Sequence, residues 1–269
     1  MLPLHLFNLD HGVVSTEFHH SFNIKFPDIL FHVGSISESL SATGITLDDD
    51  IIDHLLNDID VGNRVLYTND RLFIYTNKDI KNIFLSELSE VDLKIPEVNF
   101  NKISIAQIVD TFKIIDFAKV WGLSEEYSPQ RVIDMVLKAH SLESKISTSD
   151  FLFGRGRGLT PSGDDIMVGN LSILTATKSS QIVDWQKTVK ARLQRGGTTD
   201  VSESYIQAAL EGYTSEKMIS FLNIIQKGNA AALRPAIFAI QDFGHTSGTD
   251  TLLGMYAAFM GLLETNKIN

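Results

Sequence analysis

The chain has 269 residues, 43% hydrophobic and 21% charged, with a formal net charge of −10 and no cysteine. That length supports one large domain or two modest ones, the acidic balance argues against nucleic acid as a partner, and the missing cysteine excludes disulfides, thiolate nucleophiles and Cys-ligated metal. The opening MLPLHLFNLDHG lacks a basic segment ahead of an apolar core, and no apolar run nears the roughly 20 residues that span a bilayer, so a cytoplasmic protein without a membrane partner is expected.

Up to about Tyr75 the chain favours β structure, in short runs of Phe, Ile and Val at Val13 to Phe18, Phe22 to Phe26 and Ile29 to Val33. Asp48 to Asn57 reads as a short helix, acidic at its start and striped by Ile51, Ile52, Leu55 and Leu56. Arg64 to Thr68 and Arg71 to Tyr75 flank Asn69-Asp70, a pair that tolerates positive φ and suits a two-residue hairpin. Residues 76 to 103 read as a connector, or a helix followed by a loop.

From Ser104 the apolar period becomes helical, through Ile105, Ile108, Val109, Phe112, Ile115, Phe117 and Val120, until Gly122. Further helices are expected over Pro129 to Lys145, Asp164 to Lys178, Ile182 to Arg195, Ser202 to Leu210, Glu216 to Lys227, Ala230 to Asp242 and Thr249 to Glu264. Pro235 marks either a helix start at about Leu233 or a kink. Strands and helices are segregated, so the expected class is α+β: a β-rich N-terminal domain over 1–100 and a mainly helical C-terminal domain over 101–269.

The helical half carries an internal repeat. FGRGRGLTPSGDDIMVG at Phe153 to Gly169 is echoed by GHTSGTDTLLG at Gly244 to Gly254. Ser162, Gly163, Asp165 and Gly169 match Ser247, Gly248, Asp250 and Gly254 without a gap; Gly158 and Thr160 match Gly244 and Thr246 once Pro161 is deleted. With Ser as N-cap and Asp three positions on, each copy fits a capping-box-like helix start, and the repeat predicts two related helices packed face to face.

Exposed N–H groups at a helix start and in a glycine-rich loop cradle anions. The candidate binding residues for a small anionic substrate are therefore Arg155, Gly156, Gly158, Thr160, Ser162, Gly163, Thr246, Ser247 and Gly248. Asp165 and Asp250 suit an inward structural or ligand-facing role, while Asp164, about 100° around the helix, faces ligand or solvent. His245 and Asp164 are the candidate catalytic groups, His245 as acid, base or oxyanion donor. Capping alone accounts for much of either loop, and Asp200 with Glu203 reads as a further capping box. No metal-ligand spacing is present, no cofactor is called for, and a divalent cation beside Asp164 has no support in the sequence. The Walker phosphate loop, the nucleophile elbow, the zinc helix and the dinucleotide fingerprint are all missing.

The stretch GRGRGLTPSGDDIMVG resembles the GLTPSGDD signature of AllH-like proteins, long catalogued as a domain of unknown function. GHTSGTDTLLG is similar to that family's second block, and Ser21-Phe22-Asn23 and the helix start Thr199 to Ala208 also look like it. Members more often carry Pro where Arg157 stands. The resemblance implies a subunit of oxamate carbamoyltransferase, which moves a carbamoyl group between oxalurate and phosphate in anaerobic allantoin catabolism, acting with two other subunits. The Ser-Thr-Arg-Thr and His-Pro-x-Gln motifs of ordinary transcarbamoylases are absent, so any such chemistry is built differently. The alternative is a non-catalytic module that binds a small anionic metabolite as scaffold or sensor.

Overall fold

The computed structural model describes residues 9–124 and 126–268. Its contacts divide between Lys94 and Ile95 into two compact units, each with its own apolar core. Strands come first and helices after, an α+β arrangement.

The first unit is a seven-stranded sheet of β1 (His11–Glu17), β2 (Ser21–Lys25), β3 (Leu30–Ser35), β4 (Gly44–Leu47), β5 (Arg64–Thr68), β6 (Arg71–Tyr75) and β7 (Ile80–Phe84), in the order β4-β3-β2-β1-β5-β6-β7. All pairings are antiparallel except β3 with β4. Phe22 and Ile24, Phe31 and Val33, and Leu72 and Ile74 enter one core at the period of two that a strand imposes. Helix α1 (Asp49–Leu56) buries Ile52 and Leu55. The β5–β6 hairpin turns on Asn69 and Asp70 at φ 50° and 56°, the left-handed pair of a type I′ turn, as the sequence predicts. Two strands escape the sequence pattern. β7 is an edge strand that buries only Ile83, so little alternation marks it, and β4 is four residues long.

The second unit contains α2 (Ile105–Phe112), α3 (Pro129–Leu137), α4 (Leu142–Leu152), α5 (Ser162–Ala176), α6 (Ile182–Leu193), α7 (Asp200–Leu210), α8 (Glu216–Lys227), α9 (Leu233–Gln241) and α10 (Ser247–Ile268). The helix expected from Ser104 to Val120 ends at Phe112; Ile115 and Phe117 still reach the core, but from a loop, so their helical spacing misleads. The helix expected over Pro129 to Lys145 is two. The chain leaves α3 at Lys138, and Ser141 opens α4 by a reciprocal capping box with Ser144. Ala230–Ala232 forms a 3-10 turn before α9, whose start at Leu233 accommodates Pro235 in the first turn.

Helix α5 runs through the middle of this unit, with thirteen of its fifteen residues buried. A helix buried all round carries no single apolar face. Small residues let α10 lie close beside it, while Phe112, Phe221, Tyr256 and Phe259 form an aromatic cluster on the α10 side. Among the described residues no helix is long and apolar enough to cross a membrane.

Candidate functional site

The sequence repeat becomes a spatial repeat. Helix α4, its loop and α5 form one helix-loop-helix unit, and α9, its loop and α10 form another. In each, the glycine after the serine sits against the end of the preceding helix: a methyl on Gly163 would collide with the Leu152 carbonyl, and one on Gly248 with the Ile240 carbonyl. Each of these glycines also donates its N–H to a carbonyl of its own loop, Gly163 to Arg155 at 2.8 Å and Gly248 to Phe243 at 2.9 Å. The two helices then cross at their second glycines. Gly169 meets the backbone of Thr251, and Gly254 meets that of Ile166. Thr251 is three residues before Gly254, and Ile166 is three before Gly169, so the contact is reciprocal.

Capping differs from the expected pattern. Pro161 occupies the N-cap of α5, Ser162 is already its first helical residue, and no side chain caps it. Ser247 likewise begins α10, with the Asp250 N–H bonded to the Thr246 carbonyl at 2.9 Å. At α7 the cap is Thr199, which accepts the Ser202 N–H, rather than Asp200 paired with Glu203. Pro161 holds the extended conformation of an N-cap, and with Ser162 inside the helix its hydroxyl is released toward the neighbouring repeat.

Hydroxyls are exchanged across the interface. Asp165 of α5 is faced by Ser247 from the other repeat and Thr160 from its own. Asp250 of α10 is faced by Ser162 from the other repeat and Thr246 from its own. Thr160 and Ser247 also hydrogen-bond through their hydroxyls, which joins the two loops directly. Gly122 adds a third strand of chain: its N–H donates to Asp250 Oδ1 at 3.2 Å, and any side chain there would press on Ser162, Thr246 and Asp250. The Ser162 hydroxyl, Asp165 Oδ2 and Asp250 Oδ2 are buried without a hydrogen bond of normal geometry. Burial therefore raises both carboxyls above the usual range. For Asp165 the rise is large, and the nearby Asp250 carboxylate adds to it; for Asp250 it is opposed by the Ser162 hydroxyl, the Gly122 N–H and the Thr246 hydroxyl.

Asp164 faces neither solvent nor open space. It is 1% exposed and accepts the Gly154 N–H at 2.8 Å and the Thr198 hydroxyl. Its pKa is raised by burial, against the pull of Gly154, Thr198 and Ser202 and the Arg192 charge. This carboxylate ties the glycine-rich loop to the α6–α7 loop, where Gly154 lies against Gly197 and the Thr199 hydroxyl donates to the Leu159 carbonyl. Arg192 supports the junction, stacked 4.1 Å over Phe153 and donating to the Gly196 carbonyl at 2.6 Å. Gly196-Gly197-Thr198-Thr199 is thus a third loop of the site. The sequence pattern marks only a capping box at Asp200 and Glu203, just beyond this loop; the double glycine beside its threonines is the signal that could have marked it.

Arg155 is engaged within the fold: Nε donates to the Phe151 carbonyl, Nη1 to the Tyr127 hydroxyl at 3.3 Å, and the guanidinium stacks 4.2 Å over Phe151. Gly156 and Gly158 take φ of 127° and 88°, conformations that favour glycine. A side chain on Gly156 would sit 2.5 Å from the Ser162 nitrogen. Gly156, Gly158 and His245 are exposed, and Thr160, Thr246 and Ser247 are half-buried between that surface and the buried carboxyls. Residues 152–259, which hold both loops, the third loop and all these helix starts, match the family model described as oxamate carbamoyltransferase subunit AllH. No solved structure matches the chain.

Proposed function

We propose that the chain is the AllH-type subunit of an oxamate carbamoyltransferase assembly, and that its joined loops form part of the site where oxalurate and phosphate meet. The observation that carries this reading is the hydroxyl bridge between Thr160 and Ser247 over a buried carboxyl cluster, inside the segment that matches the family. Attack of a phosphate oxygen on the carbamoyl carbon forms a C–O bond and breaks the C–N bond to oxamate, whose nitrogen takes up a proton. Two anions must be oriented and a developing oxyanion met by donors. Because Gly163 and Gly248 have spent their N–H groups on loop carbonyls, hydroxyls take that part here. Thr160, Ser162, Thr246 and Ser247 are the donors in reach of one another, with His245 at the exposed rim. Arg155 and the backbone of Gly156 and Gly158 shape the loop that holds them, and Asp164 fixes it in place.

The test is phosphate-dependent release of oxamate from oxalurate by the chain combined with the other subunits of the assembly; no release by the complete assembly overturns the reading. The burial of Asp164, the expected catalytic carboxyl, under Gly154 and Thr198 favours a second reading, a non-catalytic scaffold or sensor for a small anionic metabolite. Calorimetry that shows binding of oxalurate or phosphate without turnover in the complete assembly selects it.

A further inference from the structure

The first unit lies wholly outside the segment that matches the family, and its sheet presents a face that the carbamoyl-transfer reading does not use. Residues directly opposite each other on neighbouring strands share a face. One rung therefore carries Lys25, Val13, Arg64, Tyr75 and Ile80 across β2, β1, β5, β6 and β7. The next, two residues along, carries His11, Leu66, Phe73 and Asn82, and a third carries Thr68, Arg71 and Phe84. Their neighbours in sequence, among them Val14, Val65, Leu72 and Ile74, turn to the core on the opposite side. Val13, Tyr75 and Ile80 are 42%, 43% and 50% exposed. The three rungs extend about 19 Å across the strands and about 14 Å along them, a few hundred Å2, the size at which an exposed apolar patch marks an interaction site.

Charge sets this face apart from the rest of its unit. Residues 1–94 contain 15 Asp and Glu against 6 Lys and Arg, yet no residue of the three rungs is acidic, and three of the six cations, Lys25, Arg64 and Arg71, stand on them. Lys78 and Lys81 are instead bound to Asp58. The Arg71 guanidinium lies 4.3 Å over the Phe84 ring, so it extends the face as a flat cationic plate. At one corner a cavity of about 650 Å3 opens, lined by His11, Val13, Lys25, Phe26, Pro27 and Arg64 among others.

We propose that this face docks another subunit of the assembly, through a surface on that subunit whose apolar side chains are flanked by carboxylates. The proposal rests on the reading of the chain as one subunit among several. An apolar side chain seated in the cavity brings a neighbouring carboxylate to the Lys25 and Arg64 that line it, while Tyr75 and Ile80 carry the contact across the sheet. Other occupants fit less well. A second copy docked by two-fold symmetry sets the cations of one face against those of the other, and a head-to-tail contact leaves the face open at the end of every chain. An anionic bilayer meets the strongly acidic remainder of the unit. A small anion fills the cavity and leaves Tyr75 and Ile80 uncovered.

The experiment is titration calorimetry of the intact chain against the other subunits of the oxamate carbamoyltransferase assembly, beside carbene footprinting of the complex. Arg64→Glu and Tyr75→Asp are each expected to weaken binding at least about tenfold. Val183→Glu, at a 67% exposed position on α6, binds as the wild type does. Added salt weakens the wild-type complex more than that of Arg64→Glu. In the wild-type complex Val13, Tyr75 and Ile80 lose their label, a readout that needs no variant. Absence of any complex overturns the proposal, as does a complex that leaves these residues labelled or that binds Arg64→Glu and Tyr75→Asp as tightly as the wild type. It is equally overturned when Arg64→Glu disrupts self-association of the chain, or binding of phosphate or oxalurate, while subunit binding persists. A complex that forms through this face yet releases no oxamate from oxalurate upholds the docking and overturns the reaction; one that releases oxamate with the face still labelled does the reverse.

Discussion

Gly169 and Gly254 are reciprocal contacts: each lies where the opposite helix passes closest, the first against Thr251 and the second against Ile166. Neither has a positive φ, so the requirement is space rather than backbone conformation. Gly169→Ala or Gly254→Ala forces α5 and α10 apart and is expected to cost about 1–3 kcal/mol or more. Because either methyl opens the same gap, the double variant should cost less than the sum of the two. Urea denaturation of the three variants measures this, and strict additivity would show that the helices do not share one contact.

The buried Asp165 carboxyl gives a pH dependence with a definite sign. Its folded pKa is raised by burial and by Asp250, so the folded state holds a proton that the unfolded chain releases near pH 4. The stability linked to that proton is full below the ordinary carboxylate pKa and is lost as pH rises toward the folded value. Asp165→Asn removes the titration. Its melting temperature, compared with the wild type from pH 4 to pH 8, should gain on the wild type as pH rises; a constant difference across that range refutes the assignment.

Thr198 supplies a hydroxyl to Asp164, which is otherwise held by the Gly154 N–H with Ser202 alongside. Thr198→Val leaves a buried carboxylate oxygen short of a donor and should cost about 1–3 kcal/mol. Thr198→Ser retains the hydroxyl and should recover most of it. Chemical denaturation of the pair distinguishes this bond from simple packing of the threonine methyl, which valine preserves and serine removes.

The two repeated serines should differ. Ser247 bonds Thr160, so Ser247→Ala is expected to lower stability by about 1 kcal/mol. The Ser162 hydroxyl faces the buried Asp250 carboxyl without a hydrogen bond of normal geometry, so Ser162→Ala should cost less than Ser247→Ala. Oxamate release by the assembled enzyme should nevertheless fall in Ser162→Ala. Full activity in that variant would remove Ser162 from the site.

Much of the fold is legible in the chain because local rules agree there. Asn69-Asp70 supplies the positive φ of its hairpin, the spacing of Ile52 and Leu55 matches α1, and helices begin where expected after Ser104 and at Pro129. Legibility fails where burial replaces periodicity. Ile115 and Phe117 keep helical spacing in a loop because the core needs them, and β7 lacks alternation because it lies at an edge.

For the site, the duplicated Ser-Gly-x-Asp-x-x-x-Gly pattern determined by itself that two like helix starts exist and which residues they carry. Only the tertiary structure decided their use. Gly163 and Gly248 became capped packing contacts, Asp164 turned inward to Thr198, and the serines and aspartates paired with the opposite repeat. Helix starts and caps are set by neighbours in sequence, whose geometry a few residues specify. Which carboxyl meets which hydroxyl depends on how two helices far apart in sequence cross, and that is set by the whole core.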